Sequence, residues 1–351
     1  SYSIYAYPLA TWTSVTIRFS ARVMQTKRKQ VESSKFQLVI GTETGFLKGI
    51  SCEKSGVIFK NINTIKQPDR GLEICSLGLK DSGETLVGLK NRLIRIYSDD
   101  FTSCKSMDIN CGSGQICGIG SIEQSVVAAI TSGEIIFCKP DPLKFQVCHG
   151  EQELECMKQC DFNKTLICTA GKESLPSIWD LNNPEKAVFN GKNVKLDNLQ
   201  LRVPVWITAL QFLGDENKLC ACSKMCQIQI YDKRVQRRPV LNILHGDDPL
   251  TALSVVSESQ IIVGDRNGKV IKYDLRKKAI IGGFKGIAGV VRDLQLHDQQ
   301  PYLAVVGADR FLHIYDVNSC QQIHNVYLKS KLTCSLWIAD VNLQRTKHFK
   351  K

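Results

Sequence analysis

Acidic side chains and aromatic residues are both scarce in this sequence of 351 residues. Asp and Glu number 34 against 46 Lys and Arg, which leaves a formal net charge of +12. This excess favours an anionic partner, either a nucleic acid or an acidic protein, but it does not determine a fold. Aromatic residues make up only 7% of the chain, yet 43% of all residues are hydrophobic, so a large core can form and general disorder is excluded.

Long apolar runs and paired cysteine motifs are also missing. No apolar run approaches the roughly 18 residues that a membrane-spanning helix needs, so we expect no membrane span. The 15 cysteines contain no pair of C-x-x-C motifs, which argues against a structural zinc site. Many lie in apolar runs, where a thiol packs as a small hydrophobic group, and we interpret the protein as intracellular and reduced. Examples are Cys75, Cys117, Cys168, Cys220 and Cys334.

The motifs of common catalytic sites are absent. The sequence has no H-E-x-x-H, no G-x-S-x-G and no Walker phosphate loop, and Gly171-Lys172 lacks the upstream glycine spacing. The stretch CGSGQICG (residues 111–118) misses the dinucleotide-binding pattern, and the six histidines are scattered without metal-ligand spacing. We expect Asp265 and Asp309 to cap backbone amides in turns. The sequence therefore predicts no enzyme activity, cofactor, metal site or small-molecule substrate.

The two ends of the chain differ from its middle. Residues 1–31 hold five basic residues and no acidic one. They faintly resemble an organelle transit peptide, but we interpret residues 1–34 as an unstructured extension, with Met24 as a natural start. Residues 340–351 form a short basic tail.

Between these ends the chain repeats a pattern of strand, tight turn and strand. In Leu38–Ile50 the turn falls at Thr44-Gly45. A further strand precedes each such pair. An aromatic residue ends the second strand of the pair. These aromatics are Tyr97, Phe137, Trp179, Tyr231, Tyr273 and Tyr315, at successive intervals of 40, 42, 52, 42 and 42 residues. Asp follows the last four of them directly. This period and ending are typical of WD repeats, so the sequence predicts an all-β, seven-bladed WD-repeat β-propeller over residues 35–339.

Closure of the ring requires one more strand. The first repeat lacks an inner strand before Phe36, whereas the stretch LTCSLWI (residues 332–338) follows the last repeat and copies the inner-strand pattern. We predict that this C-terminal strand completes the first blade, which protects the strand edges that an open sheet would expose. The competing closure would use TWTSVTIRF (residues 11–19) from the N-terminus.

The interval of 52 residues marks an insertion between the fourth and fifth repeats. Its centre, GKNVKLDNLQLRVPVW (residues 191–206), is named here the hallmark connection, and we predict that it joins the outer strand of blade four to the inner strand of blade five. Interruptions of a regular scaffold often carry partner contacts. We expect Asp197 to pair with one of the connection's cations, and Trp206 is either buried between blades, which we favour, or an exposed interface anchor. The partner-binding candidates are Lys192, Asn193, Lys195, Asp197, Arg202 and Trp206.

Two basic stretches follow the third strands of blades five and six. We call their seven cations the basic rim and expect them in equivalent connections on one face of the disc. They can hold RNA phosphates or an acidic protein segment, or they can be a solvated polar edge. No aromatic residues are interleaved with them, so base-specific reading is not indicated. The residues are Lys233, Arg234, Arg237, Arg238, Arg276, Lys277 and Lys278.

The hallmark connection carries a family resemblance that several other segments share. These include GTETGFLKG (41–49), QRRPV (236–240), FKGIAGVVRDLQ (284–295) and GADRFLHI (307–314). Together they resemble the WD repeat-containing protein 74 family and its fungal counterparts. The resemblance implies a non-enzymatic nucleolar propeller that joins pre-60S particles, acts in rRNA processing and is released by a ribosome-remodelling AAA ATPase. Family members often continue into a long Lys/Arg-rich tail, which residues 345–351 do not match.

Two functions from different classes follow. The first is a scaffold in 60S ribosomal subunit assembly in the nucleus and nucleolus, which binds pre-60S proteins and touches rRNA through the basic rim. The second is a generic protein-interaction propeller, such as the substrate receptor of a ubiquitin ligase.

Overall fold

The computed structural model of the chain describes residues 36–53, 56–65, 67–138, 147–149, 153–196, 199–339 and 341. Within these ranges it contains 28 strands and a single 3-10 turn, Arg70–Leu72. The strands form seven four-stranded antiparallel sheets, which are the blades. None of the described helical segments is long and apolar enough to cross a membrane. The predicted all-β, seven-bladed propeller is confirmed.

We number the strands in chain order and call the positions in each blade inner, second, third and outer. Blade one takes its second, third and outer strands from the start of the described chain: β1 (Leu38–Thr42), β2 (Leu47–Glu53) and β3 (Gly56–Asn61). Blade two contains β4 (Ile74–Leu79), β5 (Thr85–Leu89), β6 (Leu93–Tyr97) and β7 (Cys104–Asp108). Blade three contains β8 (Ile116–Ile122), β9 (Ser125–Ile130), β10 (Glu134–Cys138) and β11 (Val147–His149). Blade four contains β12 (Leu154–Gln159), β13 (Leu166–Gly171), β14 (Ser177–Asp180) and β15 (Phe189–Asn190).

The remaining strands complete the ring. Blade five contains β16 (Ile207–Phe212), β17 (Lys218–Ser223), β18 (Gln227–Asp232) and β19 (Gln236–Leu244). Blade six contains β20 (Leu250–Ser257), β21 (Gln260–Asp265), β22 (Val270–Asp274) and β23 (Ala279–Phe284). Blade seven contains β24 (Val291–Leu296), β25 (Tyr302–Gly307), β26 (Phe311–Asp316) and β27 (Gln321–Tyr327). The last strand, β28 (Leu332–Trp337), is the inner strand of blade one.

The pairing of β28 with β1 closes the ring. The two strands are antiparallel, with Leu38 opposite Trp337. The indole nitrogen of Trp337 donates to the carbonyl of Gln295 in blade seven at 3.1 Å, so the last strand also contacts the neighbouring blade. The predicted C-terminal closure is confirmed, whereas the competing segment, residues 11–19, lies outside the described residues.

The core lies between blades. Successive side chains of a strand point to opposite faces, so a strand buried on both faces reads as a continuous apolar run. The second strands show this: all five residues of β1 and all six of β13 are buried. The buried residues form seven clusters, one for each pair of neighbouring blades. Burial raises the pKa of the Cys117 thiol to about 12, which agrees with cysteines that serve as apolar packing.

Five of the six periodic aromatic residues pack toward the preceding blade, whereas Phe137 of blade three packs toward blade four. Tyr231 on β18 packs edge-on against Phe189 of blade four, with ring centroids 6.4 Å apart. Tyr315 on β26 makes the same contact with Phe284 of blade six at 5.2 Å. Except in blade three, an aromatic residue at the end of a third strand therefore packs against the preceding blade, which gives the sequence period its physical cause.

Candidate functional site

The second residue of every inner strand lies at a β-bulge. In all seven blades the register with the second strand skips this residue. A bulge re-aims the side chain of the extra residue. Two of the threonines here donate to the inner strand of the next blade: Thr208 to the carbonyl of Leu250 at 2.9 Å and Thr251 to that of Val291 at 2.6 Å. The seven residues are Cys75, Cys117, Glu155, Thr208, Thr251, Arg292 and Thr333.

Two members of this ring are charged, and each organises an ion cluster at the same end of the inner strands. Arg292 reaches Glu73 at 3.3 Å and Glu43 at 3.9 Å, and so links blades seven, two and one. Glu155 of blade four accepts from Lys224 of blade five at 2.9 Å and from the indole nitrogen of Trp206. The second cluster therefore lies where the hallmark connection enters blade five.

Trp206 is held on three sides. The ammonium of Lys224 lies 3.6 Å from the indole centroid and that of Lys172 lies 5.4 Å away, so both make cation–π contacts. Glu155 accepts from the ring nitrogen, and the backbone of Trp206 forms an isolated β-bridge with Lys172. The side chain is half-buried, which corrects the favoured interpretation of burial between blades. A tryptophan packed against two ammonium groups keeps its polar edge and its faces occupied but remains accessible.

Glu173 fixes the end of the hallmark connection that precedes Trp206. Its carboxylate pairs with Arg202 at 2.7 Å, and its backbone amide donates to the carbonyl of Val205 at 2.9 Å. Glu173 lies in the turn between β13 and β14, in a backbone conformation with φ of 54°. The turn of blade four is therefore the support for this end of the connection. Arg202 has one carboxylate partner and a side chain that stays 61% exposed.

Two arginines of β19 fix the beginning of the connection. Ile230 pairs with Leu241 and Asp232 with Gln236, so four residues of the outer strand stand opposite Tyr231 alone and bulge out of the blade. In this bulge the backbone carbonyl of Arg237 accepts from the amide of Lys192 at 2.7 Å. The Nε of Arg237 donates to the carbonyl of Asn190, also at 2.7 Å.

Arg238 in the same bulge donates to the carbonyls of Asn193 and Val194 at 2.8 and 3.1 Å. The predicted placement of Arg237 and Arg238 in the connection between strands is wrong: they belong to β19. Their hydrogen-bond donors also reach backbone carbonyls of the hallmark connection, which makes them supports of that connection.

The hallmark connection runs from β15 to β16, as predicted. Asn193 closes it on itself, because its side-chain nitrogen donates to the carbonyl of Val203 at 2.7 Å and its side-chain oxygen accepts from the amide of Val194 at 2.8 Å. Lys192 and Lys195 are exposed. Asp197, predicted to pair with one of these cations, lies outside the described residues.

The two halves of the basic rim differ in how their charge is compensated. Arg234 makes a two-pronged contact with Asp232, with nitrogen–oxygen distances of 3.0 and 2.9 Å, and this hydrogen bonding lowers the pKa of Asp232. Lys233 lies 3.9 Å from Glu216. In the turn of blade six, by contrast, Arg276, Lys277 and Lys278 are exposed, and no ion pair joins them to the described part of the chain. Their turn is fixed by backbone amides, since Asp274 accepts from those of Arg276 and Lys277.

Sequence reasoning missed the acidic residues that organise the site. Glu155 on β12 and Glu173 in the turn after β13 belong to blade four, and both lie outside the hallmark connection in the sequence. One signal was available for Glu155: among the seven second positions of the inner strands it is the only acidic residue. Within the described ranges no group of three or more His, Cys, Asp or Glu could hold a metal ion.

The seven closed blades and the anchored insertion define a WD-repeat β-propeller with one structured connection between two blades. WD repeat-containing protein 74 of Mus musculus is 35% identical to the chain over 311 residues, which cover 85% of the chain and 80% of that protein. The Homo sapiens protein of the same name matches with the same identity and coverage. The chain belongs to the WD repeat-containing protein 74 family.

A more distant relative adds a functional name. The ribosome biogenesis protein nsa1 of Schizosaccharomyces pombe is 29% identical over 197 residues, which cover 52% of the chain and 49% of that protein. No protein-family model matches the chain.

Proposed function

We propose that this chain is a non-enzymatic scaffold in assembly of the large (60S) ribosomal subunit. The observation that carries the proposal is the shared sequence with proteins named for ribosome biogenesis, across 52% of the chain in the fission yeast protein. The anchored hallmark connection supports it, because it is a shaped surface on an otherwise regular propeller. The proposal places the protein in the nucleus and nucleolus, on pre-60S particles, during rRNA processing.

The hallmark connection is the part of the surface that we assign to pre-60S proteins. Arg237 and Arg238 donate to backbone carbonyls at its beginning, and Glu173 pairs with Arg202 near its end. A connection fixed in this way loses less conformational entropy on binding than a flexible loop would. Leu196 is 55% exposed and directly follows the exposed Lys195, so the connection offers both apolar and charged contacts.

Contact with rRNA belongs to the same proposal and is assigned to Lys192 and Lys195. Both side chains are exposed, and no ion pair joins them to the described part of the chain. Each phosphate that a cation neutralises releases condensed counterions, which favours binding at low salt. The basic rim is less suited to rRNA than its composition predicted, because four of its seven cations contact carboxylates or the hallmark backbone. Release of the chain by a ribosome-remodelling AAA ATPase completes the proposal.

The alternative of a ubiquitin-ligase substrate receptor is not favoured. The fold is equally suited to it, since propellers serve many functions. The sequence relatives favour the first function, because two of them, from fission yeast and budding yeast, are named ribosome biogenesis proteins.

Affinity purification of the tagged full chain from growing cells tests the proposal. The expected result is enrichment of large-subunit rRNA precursors together with large-subunit ribosomal proteins. Enrichment of ubiquitin-ligase subunits without rRNA precursors would favour the alternative and contradict the scaffold.

A further inference from the structure

The outer strand of blade six differs in composition from the other described outer strands. β23 reads AIIGGF and contains only apolar residues and glycine. The other outer strands carry charged or polar side chains or proline: Lys60 on β3, Lys105 on β7, and Arg237 with Pro239 on β19. Such residues protect the unpaired backbone of an edge strand from other strands. Within the described chain, β23 is the outer strand without this protection.

The two isoleucines of β23 face solvent, whereas Phe284 at its end is buried. Ile280 is 58% exposed and Ile281 is 41% exposed, and of the two glycines that follow, Gly283 is exposed and Gly282 is partly buried. The register between β22 and β23 skips Ile281, which is therefore the extra residue of a bulge. A bulge turns its extra side chain out of the ordinary alternation, which explains why two consecutive isoleucines are exposed.

Three cations adjoin the first residue of this strand. Arg276, Lys277 and Lys278 immediately precede Ala279 and are exposed, and no ion pair joins them to the described residues. An apolar edge strand that begins beside a cationic turn is complementary to an extended segment that is apolar along its length and acidic at one end.

We propose that β23 accepts such a segment of a partner protein as a fifth strand of blade six. The backbone groups of the added strand pair with the open edge of β23, its apolar side chains cover Ile280 and Ile281, and its acidic residues meet the cationic turn. All seven blades are antiparallel, and an antiparallel addition places the acidic residues at the C-terminal end of the added strand. This surface is separate from the hallmark connection, so its partner is a different contact from those of the proposed assembly function.

Peptide binding to the purified full chain tests the proposal. The probe is a fluorescein-labelled peptide, Val-Thr-Val-Thr-Val-Asp-Glu-Asp-Glu, followed by fluorescence anisotropy. We expect binding that Ile281→Lys weakens about tenfold, because the new charge lies on the strand that the peptide must cover. Val240→Lys is the matched control, since Val240 is 43% exposed on the outer strand β19. Arg276→Glu/Lys277→Glu changes only the turn and covers the case in which Ile281→Lys disturbs the fold.

Hydrogen exchange distinguishes strand addition from a purely electrostatic contact. With the peptide bound, amide exchange is expected to slow within Ala279–Phe284 and to stay unchanged in β19. The proposal is overturned if the peptide does not bind, if Val240→Lys weakens it as much as Ile281→Lys, or if exchange in β23 is unchanged. It is also overturned if a single-stranded RNA oligomer binds through Arg276 and Lys277 more tightly than the peptide. None of these results bears on binding to pre-60S particles.

Discussion

The ammonium group of Lys224 lies 3.6 Å from the centroid of the Trp206 indole, and both side chains contact the carboxylate of Glu155. Three residues from two blades thereby fix the point at which the hallmark connection becomes the inner strand of blade five. Each of the three side chains contacts the other two: the Glu155 carboxylate accepts from the Trp206 indole and the Lys224 ammonium, and this ammonium lies over the indole ring. The cluster therefore stabilises the connection and the contact between blades together.

Replacement of Trp206 separates these contributions. Trp206→Phe keeps an aromatic face for Lys224 but removes the donor to Glu155, so we expect the free energy of unfolding to fall by about 1–2 kcal/mol. Lys224→Met removes the cation–π contact and one ion pair and is expected to destabilise by about 1 kcal/mol. Urea denaturation of the single and double variants measures both effects. Because the three groups touch, the two losses should not add, and simple additivity would mean that they act independently.

Arg237 and Arg238 are expected to act on the conformation of the hallmark connection. With Arg238→Ala the carbonyls of Asn193 and Val194 lose their donor, so amide exchange in residues 192–194 should accelerate. Stability should fall by about 1 kcal/mol, since charge-assisted bonds at an exposed site are partly replaced by water. Lys277→Ala is the control, because its side chain contacts no described acidic residue. Equal exchange in the two variants would show that Arg238 does not support the connection.

The sequence predicted the fold well because the fold depends on local periodicity. The recurrence of Tyr231, Tyr273 and Tyr315 every 42 residues identified the third strands, and the pattern of residues 332–338 identified the closing strand. The bounds of the hallmark connection followed from the one irregular interval.

The anchors of the site could not be predicted, because they depend on which turns of neighbouring blades meet. Glu155 is 51 residues from Trp206, and Arg238 is 45 residues from Asn193. A cluster of basic residues in the sequence cannot show which of its members donate to backbone carbonyls. The bulge in β19 brings Arg237 and Arg238 to the hallmark connection. No residue pattern in QRRPV predicts a bulge of that size.

Because β28 closes the ring, replacement of Trp337 on this strand should affect the stability of the whole propeller. Its side chain is 8% exposed and contacts the His297 ring with centroids 5.2 Å apart. Trp337→Ala should destabilise the protein by about 3–5 kcal/mol, because it leaves a cavity at the junction of blades seven and one.

A chain that ends at residue 330 should not fold, whereas deletion of residues 1–30 should leave the melting temperature unchanged. Cooperative unfolding of the chain that ends at residue 330 would contradict closure by β28.

The pH dependence of stability should include a contribution from His245. Burial lowers the pKa of His245, whose ring nitrogen lies 2.7 Å from the hydroxyl of Tyr273. Because the unfolded state binds a proton near pH 6.5, the stabilisation is present above that pH and is lost as the pH falls toward the lower folded value. His245→Gln removes the titrating group, so the urea midpoint should decline less between pH 7.5 and pH 5.5. Burial also lowers the pKa of His324, so part of the decline should remain.

Sedimentation of cell extracts through a sucrose gradient tests the central claim most directly. The wild-type chain should co-sediment with pre-60S particles, and Lys192→Glu/Lys195→Glu should move to the top of the gradient. Lys105→Glu/Lys186→Glu changes the net charge equally at exposed sites outside the hallmark connection and should stay with the particles. Absence of the wild-type chain from the pre-60S fractions would contradict the assembly function, and equal retention of both double variants would contradict the assignment of the hallmark connection as its binding surface.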